Sequence, residues 1–149
     1  MELVIFIGMQ GSGKSTFFRE RFFDTHVRIN LDMLKTRHRE KVLFEACLAA
    51  KQPMVIDNTN PTPADRARYI PAAKAAGFRV IGYYFDSDLE SCRTRNESRT
   101  ASKIIPLQGL IRTLRALVPP VATEGFDGLS CVTINSNGEF VFSEPGIQE

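Results

Sequence analysis

The sequence has few cysteines and no long apolar segment. Its 149 residues include three cysteines, Cys47, Cys92 and Cys131, and no two of them form a C-x-x-C pair. This spacing argues against a disulfide framework or a zinc site and favours buried, unreactive thiols. The longest apolar runs, such as Leu3–Ile7, are only as long as a strand. We therefore expect no segment that spans a bilayer.

The amino terminus also lacks the features of a secretory leader. Residues 1–7 contain no basic segment and no cleavage site, so no signal peptide is expected. Together with the scarcity of cysteine, this predicts a cytoplasmic protein. The length is typical of a single domain, and we expect residues 1–149 to form one folded unit.

The last part of the chain contains no lysine or arginine. Residues 121–149 hold five acids and carry a charge of −5. Because the whole chain carries +2, residues 1–120 carry +7. A basic region of this kind suits a polyanionic ligand such as nucleic acid. A solvated surface with a few nucleotide-binding arginines would explain the charge equally well.

Short apolar runs alternate along the chain with segments of helical spacing. The strands predicted from these runs are Leu3–Ile7, Val27–Asn30, Met54–Ile56, Arg79–Phe85 and Cys131–Ile134. The predicted helices cover residues 15–23, 31–50 and 62–76, and two more begin at a capping box over 87–90 and at Pro106. This alternation predicts an α/β fold with a five-stranded parallel sheet and helices on both faces.

A glycine-rich stretch follows the first strand and opens the first helix. It matches G-x-x-x-x-G-K-[ST] in the context that this motif requires. The glycines let backbone N–H groups converge on phosphate oxygens, and a lysine and a serine serve the β- and γ-phosphates and Mg²⁺. The residues expected to bind the nucleotide are Gly8, Gln10, Gly11, Ser12, Gly13, Lys14, Ser15 and Thr16. We therefore predict a P-loop NTPase or kinase fold that uses ATP and Mg²⁺.

Two acids are expected at the carboxyl ends of neighbouring strands. Asp57 follows the third strand without the adjacent glutamate that NTP-driven motors carry. Asp32 follows the second strand, where small P-loop kinases place the base that accepts a proton from the acceptor hydroxyl. The alternative is that Asp32 only caps the helix that follows it.

Three arginines, Arg93, Arg95 and Arg99, precede Pro106. Arg95 and Arg99 are four residues apart, which predicts that both lie on one helical face. A mobile lid that carries them would stabilise the transferring phosphoryl group and exclude water. The alternative is an exposed basic helix that pairs with Glu90 and Glu97.

These features resemble the kinase module of the polynucleotide 5′-hydroxyl kinase family over nearly the whole chain. The most specific matches are N-L-D at 30–32, I-D-N-T-N-P at 56–61, R-N-E-S-R at 95–99 and I-P at 105–106. Residues 57–69 and 124–126 are similar to the mammalian form of the family. The resemblance implies a P-loop kinase with an arginine-bearing lid, which acts on nucleic acid 5′-hydroxyl ends in nucleic acid repair.

The resemblance also implies residue roles on the nucleotide side. Lys14 would bind the phosphates of ATP, and Ser15 would be a ligand of Mg²⁺. Asp32 would be the general base, and Arg99, with Arg95 beside it, would lie over the phosphates.

On the acceptor side the sequence departs from the family pattern. Asp57 and Thr59 would hold the acceptor strand, but Leu31 stands where the family usually has arginine. Lys35 replaces an arginine of the bacteriophage enzyme, and it keeps the charge while losing the bidentate fork. Arg39, or Arg37 nearby, is a candidate to supply the bidentate contact that Lys35 cannot make. Lys35 and Arg39 are therefore predicted to bind the acceptor.

Three functions remain open from the sequence. The first is a polynucleotide 5′-kinase, the second a small-molecule kinase that acts on a metabolite or antibiotic hydroxyl, and the third a nucleotide-sensing ATPase without an acceptor. Asp32 argues against the third, since a sensor needs no base. The loop at 135–138, after the fifth strand, is a candidate for adenine contacts by position alone.

Overall fold

The computed structural model describes residues 1–144, so Glu149, one of the acids counted above, lies outside them. The strands are β1 Glu2–Ile7, β2 Val27–Ile29, β3 Met54–Ile56, β4 Arg79–Phe85, β5 Gly128–Ile134 and β6 Phe140–Ser143. The helices are α1 Lys14–Arg21, α2 Leu31–Leu34, α3 Arg37–Ala50, α4 Pro63–Arg66, α5 Ile70–Ala75, α6 Leu89–Glu97 and α7 Leu107–Ala116. The strand order in the sheet is β2-β3-β1-β4-β5-β6.

The sheet has one strand more than the sequence predicted. Strands β1 to β5 are parallel, as expected, but β6 runs antiparallel to β5 and pairs Phe140 with Ile134. The chain reverses because the Asn135 side chain accepts from the backbone N–H groups of Asn137 and Glu139, each at 2.9 Å. Gly138 has a positive φ of 78° in this turn. The α/β class is confirmed, and the count of five strands is wrong.

Strand β1 is buried along both faces of the sheet, which explains its continuous apolar sequence. Its odd-numbered residues Leu3, Ile5 and Ile7 pack into the core beneath α3 and α5. Its even-numbered residues, Val4 and Phe6, pack beneath α1. Phe6 lies in an aromatic cluster on that side, with its ring centroid 5.6 Å from that of Phe17.

Two predicted helices are each divided into two. The helix predicted over 31–50 breaks at Lys35, whose φ is +72°, because the Thr36 side chain caps a new helix by accepting from the Arg39 N–H. The helix predicted over 62–76 breaks between Arg66 and Ile70. Pro71 lies in the first turn of α5, where its missing N–H is tolerated, and it could not donate within a continuous helix.

The predicted capping box at 87–90 is shifted by one residue. Asp88, not Ser87, is the N-cap of α6, and its carboxylate accepts from the Ser91 N–H at 2.7 Å. This hydrogen bond and the one from the Ser91 hydroxyl lower the pKa of Asp88. An aspartate satisfies a helix N-terminus as well as a serine does, so the sequence pattern fitted both registers.

The three cysteine thiols are free, and those of Cys47 and Cys92 are buried as predicted, whereas Cys131 is only half-buried. Burial raises the pKa of Cys47, Cys92 and Cys131, which keeps these thiols protonated and unreactive. None of the helices between residues 1 and 144 has the length and apolarity that crossing a bilayer requires.

Candidate active site

The glycine-rich loop connects β1 to α1 and packs against α6. Gly11 and Gly13 have φ angles of 77° and 99°, which only glycine adopts without strain. A Cβ at Gly11 would overlap the backbone carbonyl of Cys92 on α6. The motif therefore forms the curled loop that the sequence predicted, with α1 beginning at Lys14.

Lys14 points back into this loop. Its ammonium donates to the carbonyls of Gly8 and Met9 over 2.8 and 2.6 Å. The pKa of Lys14 is lowered to about 8, mainly by burial and to a smaller extent by the charge of Arg99. The nearby carboxylates of Asp57 and Asp32 act in the opposite direction and raise it.

The residues that shift the pKa of Lys14 identify what surrounds its ammonium. Asp32, Asp57 and Arg99 are 25 to 67 residues apart in sequence, and each influences the same buried group. The predicted base, the acid after β3 and the predicted lid arginine therefore share one site with the phosphate-binding loop. This convergence follows from the parallel sheet, because the carboxyl ends of β1, β2 and β3 meet at one edge.

The side chains of Ser15 and Asp57 meet beside Lys14. The Ser15 hydroxyl donates to Asp57 Oδ2 at 3.2 Å. Arg28, on β2, joins both residues, with Nε 2.8 Å from Asp57 Oδ2 and Nη2 3.0 Å from Ser15 Oγ. Sequence reasoning missed Arg28, because a single arginine in a three-residue strand gives no signal of its own.

Asp57 lies on a loop that is fixed by its neighbours. The backbone carbonyl of Thr59 accepts from the Gly8 N–H at 3.0 Å, which ties this loop to the phosphate-binding loop. The Asn60 amide donates to the Phe6 carbonyl at 2.8 Å. Thr59 thus supports the loop through its backbone, and the acceptor contact expected of it stays a prediction.

Asp32 is exposed in the first turn of α2. The N-cap of α2 is Asn30, whose side chain accepts from the Met33 N–H at 3.0 Å. The alternative that Asp32 serves only as a helix cap is therefore wrong. Within residues 1–144 the Asp32 carboxylate has no hydrogen-bond partner, which leaves it accessible to a hydroxyl group.

A buried glutamate supports the backbone next to Asp32. Glu40 accepts from the Asn58 amide at 3.0 Å and from the Tyr69 hydroxyl at 2.9 Å. The Asn58 carbonyl oxygen in turn accepts from the Leu31 N–H at 2.9 Å. Burial and Glu40 together raise the pKa of Tyr69 to about 12. This network was not predicted, because its members come from three separate segments.

The basic residues after Asp32 do not share one environment. Arg37 donates to Glu40 at 2.8 Å, so it belongs to the buried network and is not free to replace the missing arginine. Lys35 is exposed, and Arg39 is also exposed while it donates to the Leu34 carbonyl at 3.1 Å. These two remain the predicted acceptor contacts.

The arginines near α6 also differ from one another. Arg95 donates to the Gly11 carbonyl at 2.6 Å, which places it on the phosphate-binding loop. Arg93 pairs with Glu97 at 3.2 Å on the exposed side of the helix. The alternative of an exposed basic helix therefore describes Arg93 but not Arg95.

Arg99 does not share a helical face with Arg95, contrary to the prediction. Helix α6 ends at Glu97, because the Asn96 side chain holds the returning backbone of Ile105 through two hydrogen bonds of 2.7 and 2.9 Å. Arg99 lies in the bend that follows, half-buried. Besides burial, its positive charge contributes to the lowered pKa of Lys14, and its position over the phosphates stays a prediction.

The remaining loop residues predicted to bind nucleotide lie where the motif places them. Gln10 donates to the Thr113 hydroxyl of α7 at 3.1 Å, and its Oε1 is buried without a partner among the described residues. The Ser12 hydroxyl lies 3.4 Å from Lys14 Nζ. Thr16 is exposed on α1.

Comparison with known proteins identifies the family. A family model described as an AAA domain matches residues 3–117, which is more than half of the chain. The chain belongs to the AAA domain family. This AAA domain has the P-loop fold that its sequence predicted. A gluconokinase from Sinorhizobium meliloti has a similar structure, with a TM-score of 0.60 and 18% identity over 89% of this chain and 82% of that one.

Two curated relatives confirm the predicted resemblance of this AAA domain to polynucleotide kinases. It is 34% identical over 100 residues to the bifunctional polynucleotide phosphatase/kinase of Schizosaccharomyces pombe, covering 66% of this chain and 24% of that protein. It is 38% identical over 140 residues to a protein of Acanthamoeba polyphaga mimivirus that provisionally bears the same name, covering 89% and 33%. The chain thus spans about a quarter to a third of these relatives.

Proposed function

We propose that the chain is an ATP-dependent kinase that transfers the γ-phosphate of ATP to the 5′-hydroxyl of a polynucleotide. The observation that carries this proposal is that Asp32 and Asp57 follow the neighbouring strands β2 and β3, at the same edge of the sheet as the phosphate-binding loop that follows β1. A free carboxylate beside a phosphate-binding loop suits transfer to a hydroxyl better than nucleotide sensing, because a sensor needs no base.

The loop and the arginines supply the positive charge that phosphoryl transfer needs. Lys14 would move from its carbonyl partners onto the β- and γ-phosphates, and Arg95 is already placed on the loop at Gly11. Arg99 would stabilise the charge that develops on the transferring group. Arg99 is half-buried in the bend after α6, and we expect its side chain to approach the phosphates once the nucleotide is bound.

Ser15 and Asp57 fit a magnesium ion. Their oxygens are 3.2 Å apart, close to the separation of about 3 Å between adjacent ligands of an octahedral ion with bonds of about 2.1 Å. Hydroxyl and carboxylate oxygens are also the donors that Mg²⁺ prefers. Bound there, the ion would neutralise charge on the phosphate oxygens.

Asp32 would act as the general base. Its carboxylate accepts the proton of the acceptor hydroxyl while that oxygen forms a bond to the γ-phosphorus. The bond between the γ-phosphorus and the bridging oxygen breaks, and ADP leaves with those electrons. The Asn58–Leu31 hydrogen bond would hold the turn that carries Asp32 during this step.

The names of the two relatives and the charge distribution support a polynucleotide acceptor. Lys35 and Arg39 present exposed positive charge next to α2, and residues 1–120 carry +7. Phosphates of a bound strand would contact this surface, and Asp57 and Thr59 would hold the strand near the base. A small-molecule hydroxyl is the second candidate, because Leu31 and Lys35 depart from the pattern of polynucleotide kinases on this side.

We also propose that residues 1–149 form one domain that works in the cytoplasm, in keeping with three free thiols, and that it takes part in nucleic acid repair.

The acceptor is tested with labelled ATP, a panel of 5′-hydroxyl oligonucleotides and a pool of metabolites. We expect label on the oligonucleotides, with binding that weakens as salt rises. The double variant Lys35→Gln/Arg39→Gln should flatten the logarithmic salt slope by about 0.7 for each lost phosphate contact on a single strand. The control, Arg19→Gln/Lys41→Gln, removes the same charge from exposed positions and should leave the slope nearly unchanged. Transfer to metabolites alone would reject the polynucleotide acceptor.

A further inference from the structure

Arg28 bridges the two residues that fit a magnesium ion. Its guanidinium makes one hydrogen bond to Asp57 Oδ2 at 2.8 Å and another to Ser15 Oγ at 3.0 Å. The Asp57 side chain is 1% exposed, whereas that of Arg28 is 30% exposed. Arg28 therefore supplies the positive charge that this buried carboxylate requires.

The guanidinium and a metal ion would need the same two oxygens. A magnesium ion held by Ser15 Oγ and Asp57 Oδ2 would draw on the lone pairs that these oxygens now offer to Arg28. Those nitrogens are themselves within 3.0 Å of the two oxygens. Repulsion between like charges opposes the binding of Arg28 and the ion to this pair at the same time.

We propose that Arg28 is a tethered cation that holds Ser15 and Asp57 in the metal-free protein and competes with Mg²⁺ for them. This inference rests on the proposed role of the two residues in magnesium binding. The backbone of Arg28 is fixed in β2 opposite Val55, so the side chain alone moves when the ion binds. Its partial exposure gives it a path toward solvent.

The competition makes metal binding weaker than the two oxygens alone would allow. It also keeps the buried Asp57 carboxylate paired when no metal is present. A purely structural role for Arg28 predicts the opposite result, because loss of the arginine would then disorder Asp57 and weaken metal binding.

The test measures equilibrium metal binding and does not depend on an acceptor. Mn²⁺ serves as the probe, and its free concentration is followed by electron paramagnetic resonance in the presence of saturating ADP. Arg28→Met removes the charge and keeps the length of the side chain, and Arg28→Lys keeps the charge but loses the fork. Arg79→Met, at an exposed position of β4, is the matched control.

We expect Arg28→Met to bind Mn²⁺ at least about tenfold more tightly than the wild type, the factor for one lost charge-assisted hydrogen bond. Arg28→Lys should show a smaller gain, and Arg79→Met none. Thermal unfolding provides a second readout. Without metal, Arg28→Met should unfold at a lower temperature than the wild type, and Mg²⁺ with ADP should raise that temperature more than it does for the wild type.

Two results would overturn the proposal. If the wild type binds Mn²⁺ and folded Arg28→Met binds it equally or more weakly, the competition is rejected while the magnesium site stands. Failure of the wild type to bind Mn²⁺ with ADP rejects both the competition and the magnesium site. If Arg28→Met does not fold, Arg28→Gln, which retains a neutral donor for Asp57, is measured against the same expectation.

Discussion

The side-chain amide of Asn30 donates to the backbone carbonyl of Asp57 over 2.5 Å. The carbonyl oxygen of the same side chain caps α2 by accepting from the Met33 N–H. One buried amide therefore fixes the turn that carries Asp32 relative to the end of β3. This side chain therefore sets the separation between Asp32 and Asp57. Asn30 is itself the first residue of the N-L-D segment at 30–32.

Asp32→Asn should lower turnover by about 10²–10⁴-fold and leave ATP binding intact, because it removes the proton acceptor and keeps the shape. Stability should change little, since Asn30 and not Asp32 caps α2. Turnover is measured at saturating ATP and acceptor. Asp24→Asn, at an exposed position between α1 and β2, is the control. Near wild-type turnover of Asp32→Asn would remove the proposed base.

Lys14→Met should abolish turnover without unfolding the protein. The substitution removes the ammonium that would reach the phosphates and keeps an unbranched apolar side chain in a buried position. Burial already opposes the charge of Lys14, as its lowered pKa indicates, so the melting temperature should stay equal or rise. Circular dichroism and a phosphoryl-transfer assay measure the two effects. Substantial turnover in the folded variant would contradict the nucleotide assignment.

Arg99→Ala should reduce turnover by a factor on the order of 10³–10⁵, as expected for an arginine that meets charge in the transition state. ATP affinity should change less, because the charge on the γ-phosphoryl group develops during transfer. Arg93→Ala is the matched control, since Arg93 only pairs with Glu97 on the surface. A higher KM for ATP with unchanged kcat would make Arg99 a ground-state binder.

We expect Tyr69→Phe to be less stable than the wild type near neutral pH, and this difference in the free energy of unfolding should shrink as the pH rises. The pKa of Tyr69 is raised from 10 to about 12 in the folded protein, so its contribution is fully present below pH 10 and is lost as the pH rises through about 12. The advantage of the wild type over Tyr69→Phe should shrink by about 1.4 kcal/mol between about pH 8 and pH 11. Urea unfolding at both pH values measures it. An advantage that does not change with pH would show that burial and Glu40 do not raise the pKa of Tyr69 in the folded protein.

The parts of the fold that local sequence determines were predicted correctly. β1, the phosphate-binding loop and β3 follow from a buried apolar run, fixed glycines and a lysine-serine pair, and the structure contains each of them. The helix breaks at Lys35 and before Ile70 were missed, because periodic apolar spacing continues across both breaks. A competing cap at Thr36 and the ring of Pro71 decided these positions.

The candidate site was predicted only where a motif carries it. Lys14, Asp32 and Asp57 were placed by the strands that precede them, and the structure brings them together. Arg28 and Glu40 were not predicted, because their importance depends on which side chains face them across the sheet edge. Contacts between distant segments leave no periodic signal in a single sequence.

Strand β6 affects how this protein behaves when its carboxyl-terminal hairpin is detached. The Phe140 ring packs 5.1 Å from the Phe17 ring, and a Cβ at Gly13 would lie 3.1 Å from Phe140. Residues 135–143 therefore cover both the back of the phosphate-binding loop and the open edge of β5. A proteolytic cut after Ile134 would leave a free parallel-sheet edge beside exposed aromatic rings. Such an edge recruits strands from other molecules, so the cleaved protein should aggregate before it loses its sheet.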